Sequence, residues 1–151
     1  MVDQTDVEIL EELRKDGRAS FSDIGEKLGL ATSTVSSRVA MLEEKGILEN
    51  FRPVINYEKL GFELSAMIDI RADSERIPDL AEELKKNERV MSFFEVTGET
   101  DMILVTRFED REDMNNFLKE LQSIEGIQTT ETHVILTEPK LEDNMDLEKV
   151  L

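Results

Sequence analysis

The first 46 residues carry apolar side chains at helical spacing. In the opening segment these side chains recur every three or four residues, as on one buried helix face: Val7, Ile9, Leu10 and Leu13. Thr5 and Glu8 have the spacing of a capping box, which predicts that this helix begins near Asp6. Gly17 is expected to end it.

Two shorter periodic segments follow, and each is bounded by its own stop signal. One predicts a helix over Phe21–Leu28, with Ser20 as its N-cap and Gly29 as its stop. The next predicts a helix over residues 32–45 that ends at Gly46. Its inward stripe consists of Val35, Val39 and Leu42. Three helices, the last two joined by a tight glycine turn, indicate a helix-turn-helix domain in residues 1–46.

Beyond Gly61 the pattern changes to strands that alternate with helices. Strands are predicted over residues 62–71, 90–97, 102–108 and 127–136. Helices are predicted over residues 77–86 and after Asp110, which is placed as an N-cap. The order βαββαβ predicts a ferredoxin-like sheet with helices on one face in residues 62–138, so the fold class is α+β.

Residues 47–61 connect the two domains. They are rich in strand-forming side chains but are interrupted by Pro53, so we expect a linker that pairs as an edge strand or a hairpin. Residues 139–151 form an acidic C-terminal tail. We expect this tail to fray, or alternatively to dock on a neighbouring subunit.

Composition excludes several classes of protein. The chain has no cysteine and a single histidine, so disulfides, thiolate metal sites and a histidine-rich site are excluded, and no cofactor is expected. No apolar run is long enough for a membrane span, and the first residues lack the order of a signal peptide. We therefore expect a cytoplasmic protein that does not enter a membrane.

The net charge of −17 argues against a DNA-binding protein until the charge is located along the chain. Residues 1–52 hold 7 basic and 11 acidic side chains, whereas residues 53–151 hold 11 and 24. The window 27–42 contains Lys27 and Arg38 and no acid. Because carboxylates repel phosphates, a surface that meets DNA should be free of them.

The third helix is the predicted reading element of this window. Its outward face offers hydroxyls rather than the Arg, Lys, Asn or Gln side chains that make bidentate base contacts, so much of any specificity should come from DNA shape. Arg38 lies at the border, suited to a phosphate or to a carboxylate of the first helix. The predicted DNA-binding residues are Lys27, Thr32, Ser33, Thr34, Ser36, Ser37 and Arg38.

Several short segments, each of low specificity alone, match one family in the expected order. They are DQTDVEIL at 3–10, DGRAS at 16–20, LGL at 28–30, VSSRV at 35–39, LEEKGIL at 42–48, VTGETD at 96–101 and TET at 130–132. Over about residues 2–140 the chain resembles the Lrp/AsnC family of feast/famine transcription regulators. In two places it departs from that family's pattern. Thr100 replaces the usual aromatic residue, and Ala31 replaces the usual Ser, which leaves Thr32 as the expected cap of the third helix.

The resemblance implies a regulator that binds double-stranded DNA through a winged or helix-turn-helix domain. It also implies a RAM-type second domain that dimerises sheet to sheet and binds a small-molecule effector such as an amino acid. Dimers of such proteins assemble further, into tetramers or octamers, with the effector between dimers. Carried onto this chain, the effector-binding residues are Gly98, Thr100, Asp101 and Thr132, with Asp101 paired to an α-amino group.

Two other functions remain open at this stage. One is a regulator-like protein that has no DNA binding of its own and acts through mixed oligomers, which the hydroxyl-only reading face and the net charge favour. The other is an enzyme similar to sirohaem decarboxylases, which resemble the same two-domain family. It would need basic groups for the tetrapyrrole carboxylates and a histidine, for which His133 is the lone candidate.

Overall fold

The computed structural model describes residues 2–137 and 145–150, and these residues divide into two compact units. The first, here called the helical unit, runs through Val54 and includes residues 145–150. The second, here called the sheet unit, begins at Ile55. No helix in the described part of the chain is both long and apolar enough to cross a membrane.

The helical unit contains α1 (Gln4–Lys15), α2 (Phe21–Leu28) and α3 (Thr32–Glu44). The predicted start of α1 near Asp6 is wrong, because Asp3 is the N-cap. The Asp3 carboxylate accepts the backbone N–H of Asp6 at 3.0 Å, and the Asp6 carboxylate accepts that of Asp3 at 3.0 Å. This reciprocal pair satisfies two N–H groups that the first turn leaves unpaired, which Thr5 and Glu8 do not do here.

The predicted caps of α2 are confirmed, whereas the predicted cap of α3 is wrong. Ser20 caps α2 and Gly29 ends it in the left-handed conformation, with φ 69°. The N-cap of α3 is Ala31, without a side-chain cap hydrogen bond, so the expectation that Thr32 would cap this helix is wrong. Thr32 is instead the first helical residue, so its hydroxyl lies past the cap position.

The sheet unit has the predicted ferredoxin-like order. It contains β1 (Leu64–Ala72), α4 (Ile77–Leu84), β2 (Val90–Glu95), β3 (Met102–Phe108), α5 (Arg111–Ser123) and β4 (Ile127–Ile135). The strands form one antiparallel sheet in the order β2-β3-β1-β4. Apolar side chains from one side of this sheet, such as Ile68 and Leu104, pack with Leu80 of α4 and Phe117 of α5 in a continuous core.

The other side of the sheet, called here the open face, is not covered by α4 or α5, which both pack on the core side. Its centre is apolar, since Met67 lies opposite Val105 and Ile103 lies beside Phe94. Met67 is 37% exposed and Phe94 is 51% exposed. A sheet that buries one face only leaves such side chains without packing partners in a single chain.

Residues 47–57 form no strand in the described structure, so the predicted edge strand or hairpin is wrong for this chain. A strand needs a hydrogen-bonded neighbour, and the pairings of the described sheet involve only the four strands of the sheet unit. Val54 is 91% exposed as a result.

The predicted tail falls partly outside the described residues, since nothing is described between residues 138 and 144. Its last part is not frayed: Leu147–Val150 forms a short 3-10 helix, and Leu147 lines an apolar groove with Leu10 and Leu13 of α1. The Arg14 guanidinium donates a hydrogen bond to the Met145 carbonyl at 2.5 Å. In this chain, therefore, residues 145–150 pack on the helical unit of the same subunit.

Candidate nucleic-acid interface and effector loop

The outward side of α3 is a polar surface without acids from Thr32 to Met41, and the exposed Glu43 and Glu44 follow at the end of the helix. Val35, Val39 and Leu42 are buried behind it. The exposed side chains in front of them are Thr32, Ser33, Ser36, Ser37 and Ala40. Thr34 is half-buried, and the Ser37 hydroxyl donates to the Thr34 carbonyl at 3.0 Å. The structure thus brings the predicted hydroxyl-bearing residues of α3 onto one helix and leaves most of them exposed.

Arg38 does not point freely toward solvent. Its Nη1 lies 2.7 Å from both carboxylate oxygens of Asp3 and 2.7 Å from Oδ1 of Asp6. Of the two partners predicted for Arg38, a phosphate or a carboxylate of the first helix, this chain provides the carboxylate. The hydrogen bonds with Asp3 and then Asp6 raise the pKa of Arg38, and the same guanidinium lowers the pKa of Asp3.

Lys27 is also paired with α1. Its Nζ lies 2.8 Å from Oε2 of Glu12, while Lys15 occupies the other oxygen at 2.8 Å. The hydrogen bonds from Lys15 and then Lys27 lower the pKa of Glu12 from 4.5 to about 2, and Glu12 raises the pKa of Lys27. The window 27–42 is free of acids in sequence, but in space α1 supplies an acid to each of its two cations.

The 98–101 loop connects β2 to β3 and is fastened to the end of β1. Asp101 accepts the backbone N–H of Ala72 through Oδ2 at 2.9 Å and donates its own N–H to the Ile70 carbonyl at 3.0 Å. Arg71 Nε donates to the Glu99 carbonyl at 2.8 Å. The Ala72 N–H lies where the β1–β4 register shifts, so the Asp101 carboxylate has a structural task in this chain.

The loop itself requires glycine at one position. Gly98 has a φ of 127°, a conformation that side chains with a Cβ rarely adopt, and it is exposed. Thr100 is half-buried beside it. Gly98, Thr100 and Asp101 are therefore held in one fixed turn that presents backbone groups and a carboxylate.

Thr132 does not join this loop within one chain. It lies on β4 directly opposite Ile68, whereas the loop enters β3 at Met102, opposite Ile70. The strands β3 and β4 flank β1, so about 10 Å separates them. The structure therefore does not place Thr132 beside Asp101 within one chain.

Family models, curated proteins and solved structures all relate this chain to one family of regulators. Residues 65–145 match the model of the Lrp/AsnC ligand-binding domain, and residues 2–49 match that of a winged helix-turn-helix DNA-binding domain. An HTH-type transcriptional regulator of Pyrococcus abyssi is 40% identical over 90% of this chain and 92% of its own length. The regulator FL11 of Pyrococcus furiosus is 35% identical over 90% of each chain. The chain belongs to the Lrp/AsnC family.

A solved structure supports the same assignment. The Neisseria meningitidis transcriptional regulator NMB0573, solved as a complex with L-Met, covers 100% of both chains with a TM-score of 0.92 and 30% identity. The resemblance drawn from the short segments is confirmed, and so is the α+β fold class. As an Lrp/AsnC protein, the chain is an HTH-type transcriptional regulator with a ligand-binding domain.

The sirohaem decarboxylase alternative finds no support in the surroundings of His133. This side chain lies on the open face with Asp69 Oδ2 at 3.6 Å and Glu131 Oε1 at 3.9 Å from its Nε2. Carboxylates there would repel the carboxylates of a tetrapyrrole. The similar proteins named above are transcriptional regulators.

Three residues important to the candidate interface were missed by sequence reasoning: Asp3, Asp6 and Glu12. A local signal existed for the first two, because two aspartates three residues apart have the spacing of an N-cap pair. No local signal marked their contact with Arg38, which lies 35 residues from Asp3 in sequence. The same holds for Glu12 and Lys27, which are 15 residues apart.

Proposed function

We propose that this Lrp/AsnC regulator reads double-stranded DNA with the exposed face of α3 and responds to an amino acid through its sheet unit. The observation that carries the proposal is the acid-free hydroxyl surface in the part of α3 before Glu43, held over the buried Val35, Val39 and Leu42. Such a surface can approach the phosphates and base edges of a major groove without charge repulsion.

Within this proposal the two cations of the window have different roles. Lys27 is an exposed side chain, 60% accessible, and it exchanges Glu12 for a DNA phosphate on binding. Arg38 is held by three carboxylate oxygens, one of them on the buried Asp6, so it fixes α3 against α1 as the helix meets DNA. Because few cations are available, the affinity for DNA should fall only shallowly with salt.

The test is selection of sheared genomic DNA by the purified protein at several KCl concentrations, followed by sequencing. A short palindrome should be enriched, since a two-fold dimer presents two reading helices. Ser37→Glu places a negative charge on the reading face and should reduce affinity at least about tenfold. Ser74→Glu adds the same charge at an exposed position of the sheet unit and should bind as the parent does. Equal binding by the two variants would contradict the assignment of α3.

The effector part of the proposal rests on the fixed 98–101 loop and on family membership, and the L-Met complex of the Neisseria relative supports an amino acid as ligand. Asp101 would pair with the α-amino group, the loop N–H groups would bind the carboxylate, and Thr132 would come from a second subunit. Ligand then acts by favouring one assembly over another, which requires different affinities for the two.

Thermal melts with each common amino acid test this site. Asp101→Ala confounds the result, because it removes both the charge and the acceptor of the Ala72 N–H. Asp101→Asn keeps an acceptor oxygen and removes the charge, so it should fold normally and lose ligand-induced stabilisation. An unchanged ligand response in Asp101→Asn would overturn the role of Asp101.

The open face supports the oligomer that the proposal needs. Its half-exposed apolar centre around Met67, Phe94, Ile103 and Val105 fits the same surface of a second copy, as expected for a two-fold dimer. We infer homodimers that assemble further into tetramers or octamers. Light scattering should show a dimer or larger, and Ile103→Lys should shift the mass toward the monomer.

A second candidate function is favoured by the neutralised cations. With Lys27 and Arg38 both occupied by carboxylates of α1, the protein would act by entering mixed oligomers with other regulators rather than by binding DNA itself. Absence of enriched DNA at every salt concentration, together with mixed dimers on co-expression with a related regulator, would favour this function over the first.

A further inference from the structure

Three side chains with oxygen and nitrogen ligand atoms meet on the open face, where β1 and β4 pair. Asp69 and Glu131 are directly opposite each other in the register, and His133 lies two residues farther along β4. His133 Nε2 is 3.6 Å from Asp69 Oδ2 and 3.9 Å from Glu131 Oε1. One ligand atom from each residue can be chosen so that all three lie within 4.8 Å of one another.

This arrangement is costly without a cation. Like charges directly opposite on neighbouring strands destabilise a sheet. In addition, Asp69 Oδ1 is buried and has no hydrogen-bond partner among the described residues. A buried carboxylate oxygen without a partner loses its hydration and gains no hydrogen bond in return. Both features would be offset by a positive ion between the carboxylates.

We propose that Asp69, Glu131 and His133 form a binding site for a divalent transition-metal ion, with Zn2+ as the preferred common ion. Carboxylate oxygens and an imidazole nitrogen are the donors such ions take, and three protein ligands leave a position for water or a further ligand. Ligand atoms around tetrahedral zinc stand roughly 3.4 Å apart. The two distances from His133, 3.6 and 3.9 Å, are close to this spacing, and with all three ligand atoms within 4.8 Å of one another, rotation of the side chains brings them to it.

The His133 imidazole distinguishes this site from a cluster of surface carboxylates. An acidic cluster alone attracts Mg2+ and Ca2+ through oxygen atoms, whereas an imidazole selects later transition metals. All three ligands belong to one chain, so the expected stoichiometry is one ion per chain. The site is independent of DNA reading and of the 98–101 loop.

Calorimetric titration and thermal melts of the chelator-treated full-length protein test the site. They are carried out in molar KCl so that diffuse cation binding is screened. Zn2+ should bind with a stoichiometry of one per chain and raise the melting temperature, with Mn2+ weaker and Mg2+ without effect. Equal effects of Zn2+ and Mg2+ would show adsorption to acidic surface and would overturn the proposal.

Variants locate the ion. His133→Gln removes the nitrogen ligand from a half-exposed side chain and should weaken Zn2+ binding by at least about tenfold, as even loss of an outer-shell partner does. Asp69→Asn should weaken it likewise. Glu95→Gln removes an exposed carboxylate of β2 and should leave Zn2+ binding unchanged. Parental Zn2+ affinity in both His133→Gln and Asp69→Asn would place the ion elsewhere and refute the site.

Discussion

The helical unit and the sheet unit are each stabilised internally by different kinds of contact. The sheet unit has a continuous apolar core in which Phe108 and Phe117 pack with ring centroids 5.5 Å apart. The helical unit has a smaller core around Ile9, Ile24 and Val35, and it adds the contact of Arg38 with the carboxylates of α1. A unit with few apolar contacts depends more on each polar contact and each close backbone approach. The part that meets DNA is thus the part more easily disturbed by single polar substitutions.

The largest effect is expected in the core of the sheet unit. Phe108→Ala removes a fully buried ring and should lower the free energy of unfolding by about 3–5 kcal/mol. Tyr57, the single tyrosine in a chain without tryptophan, lies in this unit and reports its unfolding by fluorescence. Leu136→Ala, at a side chain 91% exposed, should change stability by less than about 0.5 kcal/mol. Equal losses in the two variants would contradict this account of the core.

In the helical unit, alanine substitutions at two glycines distinguish the cost of steric crowding from the cost of backbone strain. A Cβ on Gly25 would stand 2.6 Å from the backbone oxygen of Leu30, so Gly25→Ala must push the turn before α3 away, at about 1–3 kcal/mol. A Cβ on Gly29 meets open space, and Gly29→Ala costs only the strain of its φ of 69°, about 1 kcal/mol. Denaturation followed by circular dichroism measures both. A greater loss in Gly29→Ala would refute the close approach at Gly25.

Arg38 tests whether a polar contact supports the smaller core. Arg38→Ala leaves the buried Asp6 without its cation and should lower stability by about 1–2 kcal/mol, after allowance for the partial exposure of the pair. Lys27→Ala breaks a pair whose lysine is exposed and screened by solvent, so it should lower stability less than Arg38→Ala does. Thermal melts of both variants at low and high KCl give the comparison. If Lys27→Ala proved the more damaging, Arg38 would not be the main link between α1 and α3.

The smallest effect is a pH dependence of the helical unit. The folded-state pKa of Glu12, about 2, lies below its ordinary value of 4.5, so its contribution is present above pH 4.5 and is lost as the pH falls toward 2. Asp3, whose pKa is also lowered, acts in the same direction. Melting temperatures between pH 6 and pH 3 at low salt should therefore fall less steeply in Glu12→Gln than in the parent. Parallel slopes would count against the contribution of Glu12.

The sequence determined the elements and their order. Helical periodicity and the capping residues of a helix are signals that span only a few residues, so Ser20, Gly29 and Asp110 could be assigned from the local sequence. In the structure Ser20 and Asp110 are N-caps and Gly29 ends α2, as predicted. The βαββαβ order and the family followed from the same local information. Two predictions of a helix start failed, at Asp3 and Ala31, because several polar residues compete there and only the backbone geometry selects one.

The tertiary structure decided which charges meet. Asp3 reaches Arg38 across 35 residues, and Asp101 reaches Ala72 across 29, so no spacing rule could pair them. The window 27–42 contains no acid in sequence, yet both of its cations form ion pairs with carboxylates of α1 and its N-cap. The Asp101 carboxylate, predicted to bind a ligand, accepts a hydrogen bond from the Ala72 backbone N–H. The physical reason is that a Coulomb or hydrogen-bond contact depends on distance in space, whereas sequence pattern fixes distance only within an element.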